Sequence, residues 1–79
     1  MKTYLTSMDI FFQDKDDDKI TKMKELLKKD YDIERISIMK LSSIDVKFIC
    51  IYTTKEVKNS IINDFHLERK LGWRNGYIY

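Results

Sequence analysis

A chain of 79 residues that is 43% hydrophobic and 13% aromatic reads as one small globular domain and is too apolar to be a disordered segment. Its formal charge of +2 sets 15 Lys and Arg against 13 acids, so net charge alone supplies no strong field for nucleic acid. A single cysteine, Cys50, excludes an internal disulfide, and no apolar run reaches the ~18 residues of a membrane span, so a cytoplasmic protein with no membrane partner is expected.

Met1-Lys2-Thr3-Tyr4 lacks the apolar core of a signal peptide and runs straight into alternation. Over Tyr4–Phe12, the residues Tyr4, Thr6, Met8, Ile10 and Phe12 share one face of a strand, and Leu5, Ser7, Asp9 and Phe11 share the other. The first face is the more apolar and is assigned to the core. Gln13-Asp14-Lys15-Asp16-Asp17-Asp18 breaks the pattern. Ile20, Met23, Leu27 and Tyr31 then recur at helical spacing, with acids before them and Lys28-Lys29 near the end, which predicts a helix over about 16–30.

Ile33–Lys40 and Val46–Tyr52 read as a hairpin. Pairing Lys40 with Val46 across the loop Leu41-Ser42-Ser43-Ile44-Asp45 sets Ile38 against Phe48 and Ile36 against Cys50 on the core side. Arg35, Ser37, Met39, Lys47, Ile49 and Ile51 then fall on the opposite side. Thr53 and Glu56 have capping-box spacing, and Val57, Ile61 and Phe65 predict a helix over about 54–65. Beyond Phe65 the apolar phase slips, so the helix ends or bends there, and Gly72 offers a left-handed C-terminal residue for a longer version. Asn75-Gly76 marks a turn, and Tyr77-Ile78-Tyr79 has strand composition.

Strand, helix, strand is therefore written twice. A single domain over 1–79 follows, of α+β class and ferredoxin-like βαββαβ order. Its four-stranded antiparallel sheet would carry two helices on one face, with the first and third strands central.

Few groups in this frame carry catalytic chemistry. Asp14, Asp16, Asp18 and Glu25 match positions 1, 3, 5 and 12 of a calcium loop, but Lys19 stands where the loop requires glycine and a strand precedes the cluster. His66 is the only histidine, which removes a His–His metal pair and a histidine-based triad. Cys50, in mid-strand, reads as a small buried hydrophobe. Gly72 and Gly76 are the only glycines, so no phosphate-cradling loop is present. No enzyme activity, cofactor or metal is expected.

Two binding classes remain. RNA-recognition domains of this topology stack bases on aromatics of the open sheet face, where the register above offers Lys47, Ile49 and Ile51 and no aromatic. A nucleic-acid protein would rely on Arg35, Lys47, Arg69, Lys70 and Arg74. The tail holds Arg69, Lys70, Trp73, Arg74, Tyr77 and Tyr79, residue types that dominate protein interfaces and equally cap small cores. With Ile49, Ile51 and Phe11 left outside the helix-covered core, the favoured expectation is a small interaction or inhibitor protein that docks on a host macromolecule. Self-association into a homodimer would also cover that face. The absence of proline and alanine, beside heavy use of Ile, Lys, Asp and Tyr, fits an AT-rich genome such as that of a phage or mobile element, hence a viral protein.

Overall fold

The structure, a computed structural model, describes residues 4–14, 16–44 and 46–79. Met1-Lys2-Thr3, Lys15 of the acidic cluster and Asp45 of the hairpin loop lie outside these. The chain runs β1 (Leu5–Phe11), α1 (Asp17–Asp30), β2 (Ile33–Leu41), β3 (Val46–Thr54), α2 (Lys55–Asp64), β4 (Glu68–Arg69) and β5 (Gly76–Ile78). The α+β class follows the reading of the sequence, and both helices pack on one side of one sheet.

That sheet has five strands in the order β2-β3-β1-β5-β4. β3 is antiparallel to β1 and to β2, β5 is parallel to β1, and β4 is antiparallel to β5. The expected four-stranded, wholly antiparallel ferredoxin-like sheet is thus corrected on one side of β1. After α2 the chain does not enter the slot beside β1 directly. It first makes β4 at the outer edge and then reverses through Lys70–Asn75, so the tail arrives beside β1 pointing the same way. A two-residue strand has no periodicity to read, and Glu68-Arg69 gave no signal of its own.

Local capping fixes the helix ends. Asp16 is the N-cap of α1, its Oδ1 accepting from the backbone N–H of Asp18 at 3.0 Å and of Lys19 at 3.3 Å. In α2 the cap is Thr54, whose hydroxyl accepts from the Val57 N–H at 3.3 Å. The predicted Thr53–Glu56 capping box is not used, because Thr53 is turned into the protein and its Oγ1 donates to the Asp32 carbonyl at 2.8 Å. The C-terminus of α2 is a Schellman closure: the Leu67 N–H donates to the Ile62 carbonyl and the His66 N–H to the Asn63 carbonyl. His66, at φ 53°, holds the left-handed position. Gly72, at φ 85°, lies beyond β4 and ends no helix. A side chain in the left-handed region costs free energy that glycine does not. His66→Gly is expected to stabilise the protein by about 0.5–1 kcal/mol, visible as a rise in Tm of about 3–6 °C.

The core lies between sheet and helices. Met8 and Ile10 of β1, Ile49 and Ile51 of β3, and Tyr77 of β5 meet Ile20, Met23 and Leu27 of α1 and Ile61 of α2. Ile36 and Ile38 of β2 pack against this cluster from the sheet edge.

The β2–β3 register differs from the expected one by a single residue, with large consequences. Leu41 pairs with Val46, Lys40 with Lys47, Met39 with Phe48, Ile38 with Ile49 and Ile36 with Ile51. A one-residue slip turns every side chain of a strand to the other face. Ile49 and Ile51, expected on the open face as binding residues, are therefore fully buried beneath the helices. Phe48 and Cys50, expected in the core, lie on the side away from the helices. Alternation could not orient β3, since both of its faces are apolar. β1 decides: with Met8 and Ile10 committed to the core, antiparallel pairing sets Ile51 opposite Met8 and Ile49 opposite Ile10. Burying the two isoleucines contributes about 2–3 kcal/mol each.

Candidate functional site

The face away from the helices is built from alternate residues of the three long strands. Leu5, Ser7, Asp9 and Phe11 come from β1, Phe48, Cys50 and Tyr52 from β3, and Arg35, Ser37 and Met39 from β2. No helix covers it, and its two ends differ.

At one end the tail folds over the sheet. Phe11 and Phe48 stack with ring centroids 4.8 Å apart, and the Trp73 indole lies against them at 5.0 Å and 6.5 Å. The Lys70 Nζ stands 5.1 Å above the Phe11 ring, within cation–π range. Trp73 reaches this position across Gly76, where an added Cβ would stand 2.6 Å from the Trp73 Cβ. Asn75 anchors the turn to β1: its carbonyl accepts from the Asp9 N–H at 2.9 Å, and its Nδ2 donates to the Ser7 Oγ at 3.4 Å. Under this lid Phe11 and Phe48 are buried, while Trp73 is partly buried.

Among the described residues the other end is open: Leu5 is 51% exposed and Tyr52 41%. Met39, 47% exposed, is the cross-strand partner of Phe48 and borders the covered end instead. Arg35 is paired with Tyr52 across the strands and holds its Cζ 5.9 Å from the ring centroid. Apolar surface is thus exposed at both ends of this face, Leu5 and Tyr52 beside Arg35 and Met39 beside Phe48.

Between the two ends Asp9 and Cys50 are cross-strand partners. Burial raises the Asp9 carboxyl above its usual range, against the opposing effect of its hydrogen bond with Cys50. Burial likewise pushes the Cys50 thiol up, reinforced by its hydrogen bond to Asp9 and by that carboxylate's charge. The thiol is poorly nucleophilic as a result. For Asp9, a raised folded pKa means that its contribution to stability is present at low pH and is lost as pH rises through the folded value. Asp9→Asn is expected to be somewhat more stable than the parent at pH 7 and to react several-fold faster with a disulfide reagent at Cys50. An unchanged rate would show that burial alone governs the thiol.

The residues singled out from sequence do not converge. Arg35, Lys70 and Trp73 belong to the open face. Lys47 is on the helix side, with its Nζ 3.1 Å from Asp17 Oδ2. Arg69 sits at the far edge beside Tyr77, its Cζ 6.0 Å from that ring, and donates to the Arg74 carbonyl at 3.1 Å. Tyr77 is buried opposite Ile10 and is core rather than contact surface. Tyr79 is about half-exposed and meets Phe12 and Phe65 edge-on at 5.6 Å and 5.9 Å. Leu5, Met39 and Tyr52 were missed. Their signal was the alternation of β1, which placed Leu5 outward and, through the β1–β3 pairing, would have placed Tyr52 there too.

The acidic cluster has its own occupations. Asp16 caps α1, Asp14 pairs with Lys19 at 3.1 Å, and no group of three potential metal ligands occurs among the described residues. A cavity of ≈ 300 Å³ beside it is lined by Phe12, Asp14, Ile20 and Val46, with the Asp17–Lys47 pair in its wall. Among the described residues no helix is long and apolar enough to cross a membrane. Comparison of the chain with protein-family models, with curated proteins and with solved structures finds no match.

Proposed function

We propose that this chain is a small non-enzymatic interaction or inhibitor protein that docks on a protein partner through its open sheet face and the Trp73 turn. The supporting observation is the apolar surface left exposed on that face, with Leu5 and Tyr52 beside Arg35 at one end and Met39 next to Phe48 at the other. Met, Tyr, Trp and Arg are the types enriched at interface centres, and a patch of this kind on a small domain is costly to leave in water. The surface differs from the one expected from sequence: Phe48, Cys50 and Tyr52 of β3 take the places of Lys47, Ile49 and Ile51. A host macromolecule met in the cytoplasm, by a protein of phage or mobile-element origin, remains the setting that composition favours.

Nucleic-acid binding is the second reading, and one observation favours it. The corrected register brings Phe48 and Tyr52 to the open face beside Phe11, which removes the objection that β3 offers this face no aromatic. Phe11 and Phe48 are nevertheless covered, and Lys47 and Arg69 lie away from this face, leaving no continuous cationic track for a backbone.

The two readings separate in one set of measurements. Partner capture by the protein should survive the step from low to moderate salt and be lost in Tyr52→Asp and Met39→Asp variants that keep the parent's circular dichroism. Capture that ignores both substitutions sinks the docking reading. Quenching of Trp73 emission by a single-stranded oligonucleotide, falling steeply with salt, would establish the second reading instead.

A further inference from the structure

Charge is not spread evenly along this chain. Up to Thr54, ten Lys and Arg stand against ten Asp and Glu, so the formal +2 resides wholly in residues 55–79, where five cations meet three acids. Two of those acids are placed away from the cations. Asp64, the last residue of α2, accepts from the Tyr31 hydroxyl at 2.6 Å. Glu68 neighbours Arg69 along β4, and successive residues of a strand point to opposite faces.

The fold then brings two of the cations to one ring. The Lys58 Nζ of α2 stands 5.5 Å from the Tyr77 centroid, and the Arg69 Cζ of β4 stands 6.0 Å from it. Arg69 is the cross-strand partner of Tyr77 and so shares its helix-side face. The turn between β4 and β5 fixes both side chains. Arg69 Nη2 donates to the Arg74 carbonyl at 3.1 Å, and Lys58 Nζ donates to Asn75 Oδ1 at 3.3 Å. Those bonds leave most of the guanidinium fork and of the ammonium donors free. Among the described residues no carboxylate lies within ion-pair distance of either cation.

The helix adds to this imbalance. Lys58 lies in the first turn of α2, at the positive end of the helix dipole, where a cation is disfavoured and an anion favoured. An anion at this corner would offset both the dipole and the two neighbouring charges. The donor set selects among anions. A guanidinium fork and an ammonium on different elements suit a tetrahedral dianion with three acceptor oxygens better than a carboxylate with two.

We propose that Lys58 and Arg69 hold a phosphate group, free or as the end of a small phosphorylated molecule, at the corner between α2 and the β4–β5 turn. The site lies on the helix side of the sheet and does not depend on what the open face binds.

The test is a titration of isotope-labelled protein, followed by its backbone amide resonances. Sodium phosphate is one ligand and glycerol phosphate, a simple ester, the other, each against sodium chloride at matched ionic strength and neutral pH. Shifts should saturate with a Kd of about 1 mM or tighter and be confined to the start of α2 and residues 69–77. Tighter binding of the ester names it as the natural form, and equal affinity names free phosphate; both support the site. Lys58→Gln and Arg69→Gln should each weaken binding by about fivefold or more, and Arg69→Lys, which keeps the charge but not the fork, by less. Lys58 is partly buried, but Arg69 is exposed, so its variants keep the fold. Shifts that never saturate, that spread over the lysines of α1, or that survive both glutamine substitutions overturn the proposal. So does an oligonucleotide that binds at this corner while both small phosphates do not.

Discussion

Replacing Ile51 by aspartate is expected to unfold the protein, whereas the same replacement at the adjacent Tyr52 should leave it folded. Ile51 is fully buried and packs in the cluster that joins both helices to the sheet. Ile51→Asp removes the transfer free energy of the isoleucine and places a carboxyl where no polar partner exists, a loss of more than about 4–5 kcal/mol. A domain of 79 residues has a net stability of only about 4–12 kcal/mol, so the loss is comparable to the whole. Tyr52, at 41% exposure, faces away from the helices, and its replacement costs lost strand propensity and ring packing, about 1 kcal/mol. Circular dichroism with urea titration distinguishes the two at once. The reverse outcome, a folded Ile51→Asp and an unfolded Tyr52→Asp, would mean that β3 is the other way up.

Gly76→Ala should be the second most damaging change among those considered. The backbone at Gly76 is not in the left-handed region, so the cause is space alone. The added Cβ meets the Trp73 Cβ at 2.6 Å and its Cγ at 3.2 Å. A Cβ cannot swing away as a long side-chain end can, so β5 or the turn must shift, at a cost of about 1–3 kcal/mol. The single tryptophan reports the result directly: its emission should move to the red as the indole lifts from Phe11 and Phe48. Adding Trp73→Ala should not rescue the variant, because alanine keeps the offending Cβ, whereas adding Trp73→Gly should. Rescue by alanine would place the clash in the ring instead.

Much of the fold was legible because most of its elements carry a strong period. The three- and four-residue recurrence of Ile20, Met23 and Leu27 and of Val57 and Ile61 located both helices, and the alternation of β1 assigned Met8 and Ile10 to the core. What was not legible had weaker or ambiguous signals. β3 is apolar on both faces, so its orientation rests on a neighbour far away in sequence. β4 is too short to have a pattern, and its reversal sets the direction of β5. The candidate site inherited the first error whole. Arg35 and Met39 lie on the open face as the alternation of β2 had them, but Ile49 and Ile51 stood in for Phe48 and Tyr52 because one residue of register was misjudged.

The parallel pairing of β5 with β1 carries a consequence for how the molecule assembles. Asp9 lies beside Gly76, and the Tyr79 N–H donates to the Phe11 carbonyl at 2.8 Å, so β1 has a neighbour from almost the opposite end of the chain. The β2–β3 hairpin and both helices can form from local contacts, but this slot closes only after a loop of nearly the full chain length has been brought round. Until then β1 presents an unpaired edge in the middle of the sheet, and Phe11 lacks its cover. The slow step of folding should be this closure, and the species that precedes it is the one most exposed to aggregation.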